Sequence, residues 1–178
     1  MRERGLPFPE REDAMKREGY VSWDEYFMGV SLLAAERSKD PNTQVGACIV
    51  DENQRIVSTG YNGFPYGCSD DEFPWDRAGE TAGQTKYPYV VHAELNAILN
   101  AGGRRVSGSR IYVGLFPCNE CAKAIIQSGI REVIYLSDKY AETEMTKVSR
   151  RMLTAAGVKL TQLKPTRDTI VLDFKKGL

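Results

Sequence analysis

Residues 110–129 read RIYVGLFPCNECAKAIIQSG. The first part is an almost continuous apolar run, which predicts a buried strand over 110–116. Pro117 suits the first turn of a helix, because the N–H that proline lacks would have no partner there. We predict a helix over 118–128 that ends at Gly129. The stretch is therefore a strand that runs directly into a helix.

Helices and strands alternate on both sides of this unit. A helix is predicted before it, over 92–101, and a strand, a helix and a strand are predicted after it, over 132–136, 143–156 and 159–163. Such alternation with apolar strands is typical of an α/β fold whose sheet is covered on both faces. We expect the sheet to be largely parallel in this half, and 169–174 to add a further strand or to pack as an extension.

The first half of the sequence has a different pattern. Ser22-Trp23-Asp24-Glu25 has the form of a capping box, and it opens a predicted helix that runs to about Arg37. Apolar runs over 45–50 and 55–61, separated by Asp51-Glu52-Asn53, predict a hairpin. Residues 62–91 have no clear period and are rich in Gly, Pro and Asp; a loop of this length is usually functional.

The length and composition are those of one domain. The chain has 178 residues with 24 basic and 24 acidic side chains, so no net field recruits nucleic acid or an anionic membrane. We expect an N-terminal arm over 1–21, flexible or packed on a neighbouring subunit, and a single domain over 22–178. Since the N-terminus lacks an export signal, we expect a reducing, cytoplasmic setting.

Two short motifs carry the candidate chemistry. The chain has one histidine, in His92-Ala93-Glu94, and a cysteine pair in Pro117-Cys118-Asn119-Glu120-Cys121. One imidazole and two thiolates leave the fourth position of a tetrahedral zinc ion open, which is typical of a catalytic site. This H-x-E…P-C-x-x-C pattern is the signature of zinc-dependent nucleobase deaminases, in which the glutamate is not a ligand.

The expected mechanism follows from these parts. Zinc lowers the pKa of its bound water towards 7, which makes hydroxide available at neutral pH. Glu94 is predicted to take the proton of this water, deliver it to a ring nitrogen and then protonate the departing amine.

Other interpretations of the motifs stay open at this point. A lone histidine is usually structural, and a Cys-x-x-Cys pair can be a redox motif. A closed structural zinc site would need Cys48 or Cys68 as a fourth ligand, although Cys48 is mid-strand and is more simply an inert core thiol. A zinc-binding interaction module without catalysis is disfavoured by Glu94, because such a site has no use for an unligated proton carrier.

Residues 24–163 resemble the cytidine/deoxycytidylate deaminase superfamily. Five segments have sequences similar to those of deoxycytidylate (dCMP) deaminases: 37–42, 60–63, 67–71, 92–98 and 115–123. The resemblance implies a three-layer α/β/α fold with a five-stranded mixed sheet. It also implies conversion of dCMP to dUMP and ammonia, which supplies thymidylate synthesis.

The resemblance and the chemistry of dCMP suggest substrate contacts. Asn62 and Tyr140 match substrate-contacting residues of the superfamily, although Asn62 could simply form a turn and Tyr140 could be a surface aromatic. A monophosphate needs nearby cations or N–H groups, which Ser38 and Lys39 could supply. Ser38 and Lys39 could instead be solvated residues at the end of a helix that contact no ligand.

The family is typically homohexameric, activated by dCTP and inhibited by dTTP, often with Mg²⁺. We expect an effector site in the 62–91 loop, with Gly67, Asp70 and Asp71 as candidates, although an acidic loop without a ligand fits as well. Without a second histidine, a second zinc site is not expected. The alternative function is deamination of another substrate, such as a free base, a nucleoside or a tRNA adenosine. The neutral net charge disfavours a tRNA substrate, because a protein that binds tRNA is expected to have a basic surface.

Overall fold

Five strands form one mixed sheet in the computed structural model, which describes residues 16–176. They are β1 (Gly46–Val50), β2 (Ile56–Tyr61), β3 (Arg110–Leu115), β4 (Glu132–Ser137) and β5 (Lys159–Gln162), in the spatial order β2-β1-β3-β4-β5. Strand β1 is antiparallel to both β2 and β3, whereas β3, β4 and β5 are parallel. The predicted hairpin, parallel second half and five-stranded mixed sheet are thus confirmed.

Four helices complete the domain: α1 (Trp23–Ala35), α2 (Ala93–Asn100), α3 (Asn119–Gln127) and α4 (Glu144–Ala155). The capping box of α1 forms, because the Glu25 N–H donates to Ser22 Oγ and the Ser22 N–H donates to the Glu25 carboxylate. Helices α2 and α3 begin directly after His92 and Cys118, which are their N-cap residues. Helix α1 ends at Ala35, two residues before the predicted end at Arg37.

The sheet is covered on both faces because alternate residues of each strand point to opposite sides. Ala47 and Ile49 of β1 pack in a large core with residues of α2, α3 and α4. Cys48 and Val50 pack on the other face with Phe27 of α1. The result is the predicted three-layer α/β/α arrangement, with one helix on one face and three on the other.

The tail beyond β5 forms no strand within the described residues, so of the two alternatives for 169–174 only packing as an extension remains. Glu25 of α1 accepts hydrogen bonds from the Thr166 N–H and hydroxyl at 2.8 and 2.7 Å, which hold the start of the tail. Ile170 lies against Gly29, where an added Cβ would be 3.3 Å from its side chain. The N-terminal arm predicted over 1–21 lies mostly outside the described residues.

The loop over 62–91 is folded on itself. Its ends are joined by an isolated antiparallel bridge, in which the N–H and C=O groups of Gly63 and Val91 exchange hydrogen bonds of 3.1 and 2.9 Å. Phe64, Trp75 and Phe73 form an aromatic cluster inside the loop, with ring centroids 4.1 and 5.6 Å from Phe64. Because its ends lie close together and its interior is packed by its own side chains, the loop is a compact unit.

Helix α2 lies unusually close to the sheet. A Cβ added to Gly60 of β2 would lie 2.3 Å from the Ala97 nitrogen of α2, so only glycine fits at this position. This contact fixes the helix whose first turn carries Glu94. No helix among residues 16–176 has the length and apolar character needed to cross a membrane.

Candidate functional site

His92, Cys118 and Cys121 come together at the first turns of α2 and α3. The Nδ1 atom of His92 lies 3.3 Å from Cys118 Sγ and 3.5 Å from Cys121 Sγ, and the three ligand atoms all lie within 4.8 Å of one another. Cys118 is the N-cap of α3 and Cys121 is in its first turn, so the Cys-x-x-Cys spacing directs both thiols to one side. Within the described part of the chain, this is the one group of its kind.

The geometry of this group fits zinc. Bonds of about 2.3 Å to sulfur and about 2.0–2.1 Å to nitrogen at tetrahedral angles place a sulfur and a nitrogen about 3.5 Å apart. The observed separations of 3.3 and 3.5 Å are of this size. Three ligands of the types that zinc prefers, with no fourth protein ligand in the group, correspond to an open site.

The other two cysteines are not part of the group. Cys48 is fully buried in β1, and burial raises the pKa of its thiol to about 12. This agrees with the expected inert core thiol. Cys68 is a half-buried free thiol in the 62–91 loop. Neither thiol supplies the fourth ligand that a closed structural zinc site would need.

Hydrogen bonds among the three ligand side chains shift their pKa values when no metal is bound. Hydrogen bonding from Cys121, followed by that from His92, lowers the pKa of Cys118 to about 4. The Cys118 thiolate in turn raises the pKa of His92 to about 9, although burial opposes this. The pKa of Cys121 is raised by its hydrogen bond to Cys118 and by burial. Binding of zinc displaces such protons, because zinc takes thiolates and neutral imidazole.

Glu94 lies beside this group and is not a member of it. Its side chain is 5% exposed, and burial raises the pKa of its carboxyl while the charge of His92 opposes the rise. His92 has an extended backbone at the start of the helix, with φ −71° and ψ 155°. This conformation allows two side chains only two residues apart to face the same cavity.

A cavity of about 310 Å³ contains His92, Glu94 and Cys118 in its wall. It lies at the carboxyl ends of β3 and β4, where open α/β sheets place their ligand sites. Polar and aromatic side chains from three loops complete the wall, among them Asp40, Asn62, Arg77, Lys86, Tyr87 and Tyr140. A larger apolar groove, of about 590 Å³, lies between α1 and the tail and contains none of the metal-binding group.

The four predicted substrate contacts divide into two pairs. Asn62 and Tyr140 line the cavity, whereas Ser38 and Lys39 do not. Ser38 donates a 2.9 Å hydrogen bond to the Asn62 carbonyl, and exposed Lys39 forms an ion pair with Asp70. The roles of all four in substrate binding stay predictions.

The amide of Asn62 is held by the protein itself. Its Oδ1 accepts the Val45 N–H at 2.8 Å, and its Nδ2 donates to the Thr43 carbonyl and to Asp40 at 3.0 and 3.3 Å. Both N–H donors are therefore used, and one lone pair of Oδ1 is left for a ligand.

The cavity wall also contains a buried ion pair that the sequence does not indicate. Asp40 is 2% exposed and Lys86 is 7% exposed, and the Lys86 ammonium contacts the Asp40 carboxylate. Burial alone would raise the pKa of Asp40, but the hydrogen bond from Lys86 and those from the Asn42 and Thr43 N–H groups outweigh it and lower the pKa. Both residues belong to segments predicted as loops, where no periodicity indicates which charges become buried.

The effector candidates lie on the outer part of the 62–91 loop. Gly67 is exposed with φ +87°, a left-handed conformation that favours glycine, and Asp71 is exposed. Asp70 is occupied by Lys39 and by no other cation within the described residues. Their role in effector binding stays a prediction.

Comparison with known proteins identifies relatives along most of the chain. A family model described as the cytidine and deoxycytidylate deaminase zinc-binding region matches residues 21–137. A probable deoxycytidylate deaminase of Drosophila melanogaster is 56% identical over 167 residues, which are 91% of this chain and 82% of that protein. The deoxycytidylate deaminase of Homo sapiens is 55% identical over 159 residues, 89% of each chain.

A solved structure has a similar fold. The dCMP deaminase of cyanophage S-TIM5, crystallised in complex with dCMP and dUMP, superposes with a TM-score of 0.63 and 27% sequence identity. The match covers 78% of this chain and 95% of the phage protein.

Proposed function

Because this chain belongs to the cytidine and deoxycytidylate deaminase family, we propose that it hydrolyses dCMP to dUMP and ammonia. The observation that carries the proposal is one cavity whose wall contains His92 and Cys118 of an open zinc site and the buried, unligated Glu94. Relatives named for dCMP, at 55–56% identity over about nine tenths of the chain, support the choice of substrate.

Zinc would be held by His92, Cys118 and Cys121. When bound, zinc lowers the pKa of a water molecule towards 7, so that hydroxide forms at neutral pH. The protein holds the loop that leads to Cys118 and Cys121, because Ser149 of α4 donates a 2.7 Å hydrogen bond to the Pro117 carbonyl. Ser149 is fully buried, so this support is shielded from competing water.

Glu94 is proposed to move the protons of the reaction. It takes a proton from the attacking water and delivers it to N3 of the cytosine ring, then takes the proton of the new C4 hydroxyl and passes it to the amino group as the C4–N bond breaks. The overall reaction consumes one water and releases ammonia, and no redox partner is needed. The raised pKa of the buried Glu94 carboxyl supports a role in which it must both hold and release a proton.

The substrate would lie along the cavity wall. We propose that Asn62 accepts a hydrogen bond from the nucleotide through the free lone pair of Oδ1, and that Tyr140 covers the base or sugar. Lys139 lies 4.9 Å from the centre of the Tyr140 ring, which restrains this half-exposed side chain. Ser38 supports Asn62 by donating a hydrogen bond to its carbonyl, and Lys39 is a second candidate for a phosphate contact, although Asp70 balances its charge.

Assembly and regulation are proposed from the family pattern. Exposed apolar side chains on α1 and α4, including Leu32, Leu33 and Val148, support association of identical chains, with a homohexamer as the proposed state. The ion pair between Lys39 and Asp70 supports an effector site on the 62–91 loop, because a dCTP or dTTP bound with Mg²⁺ near Asp70 would compete for Lys39. A cytoplasmic location and a role in thymidylate supply complete the proposal.

One assay separates this function from its alternatives. Ammonia release would be measured with cytosine, deoxycytidine, dCMP, CMP and dCTP, with and without added dCTP or dTTP. We expect dCMP to have the highest kcat/KM, dCTP to activate and dTTP to inhibit. A preference for a free base or a nucleoside would replace dCMP as the substrate, and no release from any cytosine compound would remove the proposed activity altogether. Light scattering with and without the effectors would test the hexamer.

A further inference from the structure

Two cations lie in the cavity wall, and they differ in how their charge is balanced. The Lys86 ammonium is matched by the buried Asp40 carboxylate. Arg77 lies in the same wall and forms no ion pair with any acidic residue of the described chain. Apart from the zinc ligands and Glu94, the wall therefore carries one net positive charge, and that charge is on Arg77.

Arg77 is exposed, and one hydrogen bond orients its guanidinium. Its Nε donates a 3.2 Å hydrogen bond to the Tyr87 hydroxyl oxygen, and both residues belong to the 62–91 loop and line the cavity. Since Nε is used for this contact, the two terminal nitrogens of the guanidinium are left, and they make no hydrogen bond to any other described residue. The Tyr87 oxygen accepts from Arg77, so its own O–H stays available as a donor.

The loop that carries this pair is anchored to the rest of the site. Lys86, directly before Tyr87, binds Asp40 across the cavity wall, and the Lys86 N–H donates a 2.9 Å hydrogen bond to the carbonyl of Asp76, directly before Arg77. The positions of Arg77 and Tyr87 are thus coupled to a buried ion pair. A planar fork of free donors on an anchored loop is the arrangement that binds a phosphate with two parallel hydrogen bonds.

Lys39 differs from Arg77 in its charge balance and in its position. It is salt-bridged to Asp70, which neutralises its charge, and it is not part of the cavity wall. A nucleoside monophosphate carries a charge of about −1.5 to −2 at neutral pH, as phosphorylated side chains do. Such a group favours a cation whose charge is still uncompensated.

We propose that Arg77, assisted by the Tyr87 hydroxyl, binds the 5′-phosphate of the nucleotide and so determines the preference for a nucleotide over a nucleoside. The proposal rests on the proposed function, since it assigns a subsite within the same cavity. Arg77 acts by binding and takes no part in the proton transfers assigned to Glu94.

The test compares Arg77→Gln with the wild type on dCMP and on deoxycytidine, which differ only in the phosphate. We expect the ratio of kcat/KM for dCMP to that for deoxycytidine to fall about 30-fold or more, the range of a lost hydrogen-bonded charge. Arg77→Lys should restore part of the ratio, because it returns the charge without the planar fork. Tyr87→Phe should lower the ratio by a smaller factor.

Two further variants make the comparison specific. Arg55→Gln removes an exposed arginine in the β1–β2 turn, outside the cavity, and should leave the ratio unchanged. Lys39→Met tests the other candidate cation. If deoxycytidine is turned over too slowly, dUMP and deoxyuridine can be compared as inhibitors of dCMP turnover. The ratio of their inhibition constants then measures how much the phosphate contributes to binding.

The outcomes separate the subsite from the function. If wild-type protein deaminates dCMP and Arg77→Gln lowers activity on both substrates equally, or on neither, Arg77 does not bind the phosphate and the proposed function stands. If Lys39→Met lowers the ratio and Arg77→Gln does not, the subsite belongs to Lys39. If the wild type releases no ammonia from dCMP, the proposed function itself fails.

Discussion

The Lys86 ammonium contacts the Asp40 carboxylate in the wall of the cavity that also contains Glu94, and so joins two residues 46 positions apart in the sequence. Asp40 also accepts the Asn42 N–H at 2.9 Å and lies 3.3 Å from Asn62 Nδ2. One carboxylate therefore fixes the turn before β1, the end of β2 and the 62–91 loop relative to one another.

This relationship predicts a strong dependence of stability on both partners. Because each single change leaves a buried charge without its partner, Asp40→Asn and Lys86→Met should each lower the free energy of unfolding by about 3 kcal/mol or more. The double variant should lose less than the sum of the two, and urea unfolding of the four proteins measures the difference. Additive losses would show that the two side chains do not act together.

The exposed pair of Lys123 and Glu120 provides the control. These side chains are 57% and 68% exposed and make a 2.7 Å ion pair on α3. A pair of this kind contributes about 0.3–0.5 kcal/mol, so Lys123→Met should change the free energy of unfolding far less than Lys86→Met.

Glu94→Gln tests the proton carrier. The amide has nearly the same shape but cannot accept and return a proton, so we expect ammonia release from dCMP to fall by about 10²–10⁴-fold or more. Zinc content and the thermal unfolding midpoint should stay close to those of the wild type, because Glu94 is not in the metal-binding group. Near-normal turnover in this variant would remove Glu94 from the mechanism.

Metal analysis tests the zinc site. We expect about one zinc per chain, since the group of His92, Cys118 and Cys121 is a single three-ligand site. Cys118→Ala should lose the metal and the activity together, whereas Cys48→Ala and Cys68→Ala should keep the metal. A value near two zinc ions per wild-type chain would mean that a second site exists.

Stability at low pH tests the contact between α1 and the tail. Hydrogen bonds, first from the Thr166 hydroxyl and then from the Ser22 N–H, lower the pKa of Glu25 to about 2 from an ordinary value of 4.5. A group whose pKa is lower in the folded state stabilises the fold fully above its unfolded pKa, and this contribution is lost as the pH falls towards the folded pKa. The stabilisation from Glu25 is therefore present above pH 4.5 and declines between pH 4.5 and about 2.

The measurement compares wild type with Glu25→Gln by urea unfolding at several pH values from 7 to 3. The difference in free energy of unfolding should be constant above pH 5 and shrink below pH 4.5. Loss of zinc in acid affects both proteins and cancels in the difference. Glu120→Gln, which changes an exposed carboxylate, should show almost no difference at any pH. A difference for Glu25→Gln that stays constant down to pH 3 would show that its pKa is not lowered.

Much of the fold could be predicted because its signals are local. The periodicity of 110–129, the capping box at Ser22 and the position of Pro117 each depend on neighbouring residues, and the corresponding elements form within one or two residues of their predicted ends. The closeness of Cys118 and Cys121 was predictable for the same reason, since they lie three residues apart on one turn, whereas His92 reaches them from 26 positions away. The tail could not be assigned, because its packing depends on contacts of Thr166 with Glu25, 141 positions away.

The sequence by itself determined the alternation of strands and helices and indicated the candidate zinc ligands and the separate carboxylate of Glu94, because spacing within a turn or a strand dictates which side chains share a face. Only the tertiary structure decided which charges line the cavity. It pairs Lys39 with Asp70 outside the cavity, neutralises Lys86 with Asp40, and leaves Arg77 without a carboxylate partner among residues 16–176. The physical reason is that charges in loops have no period: their partners are set by how the 62–91 loop closes over the sheet.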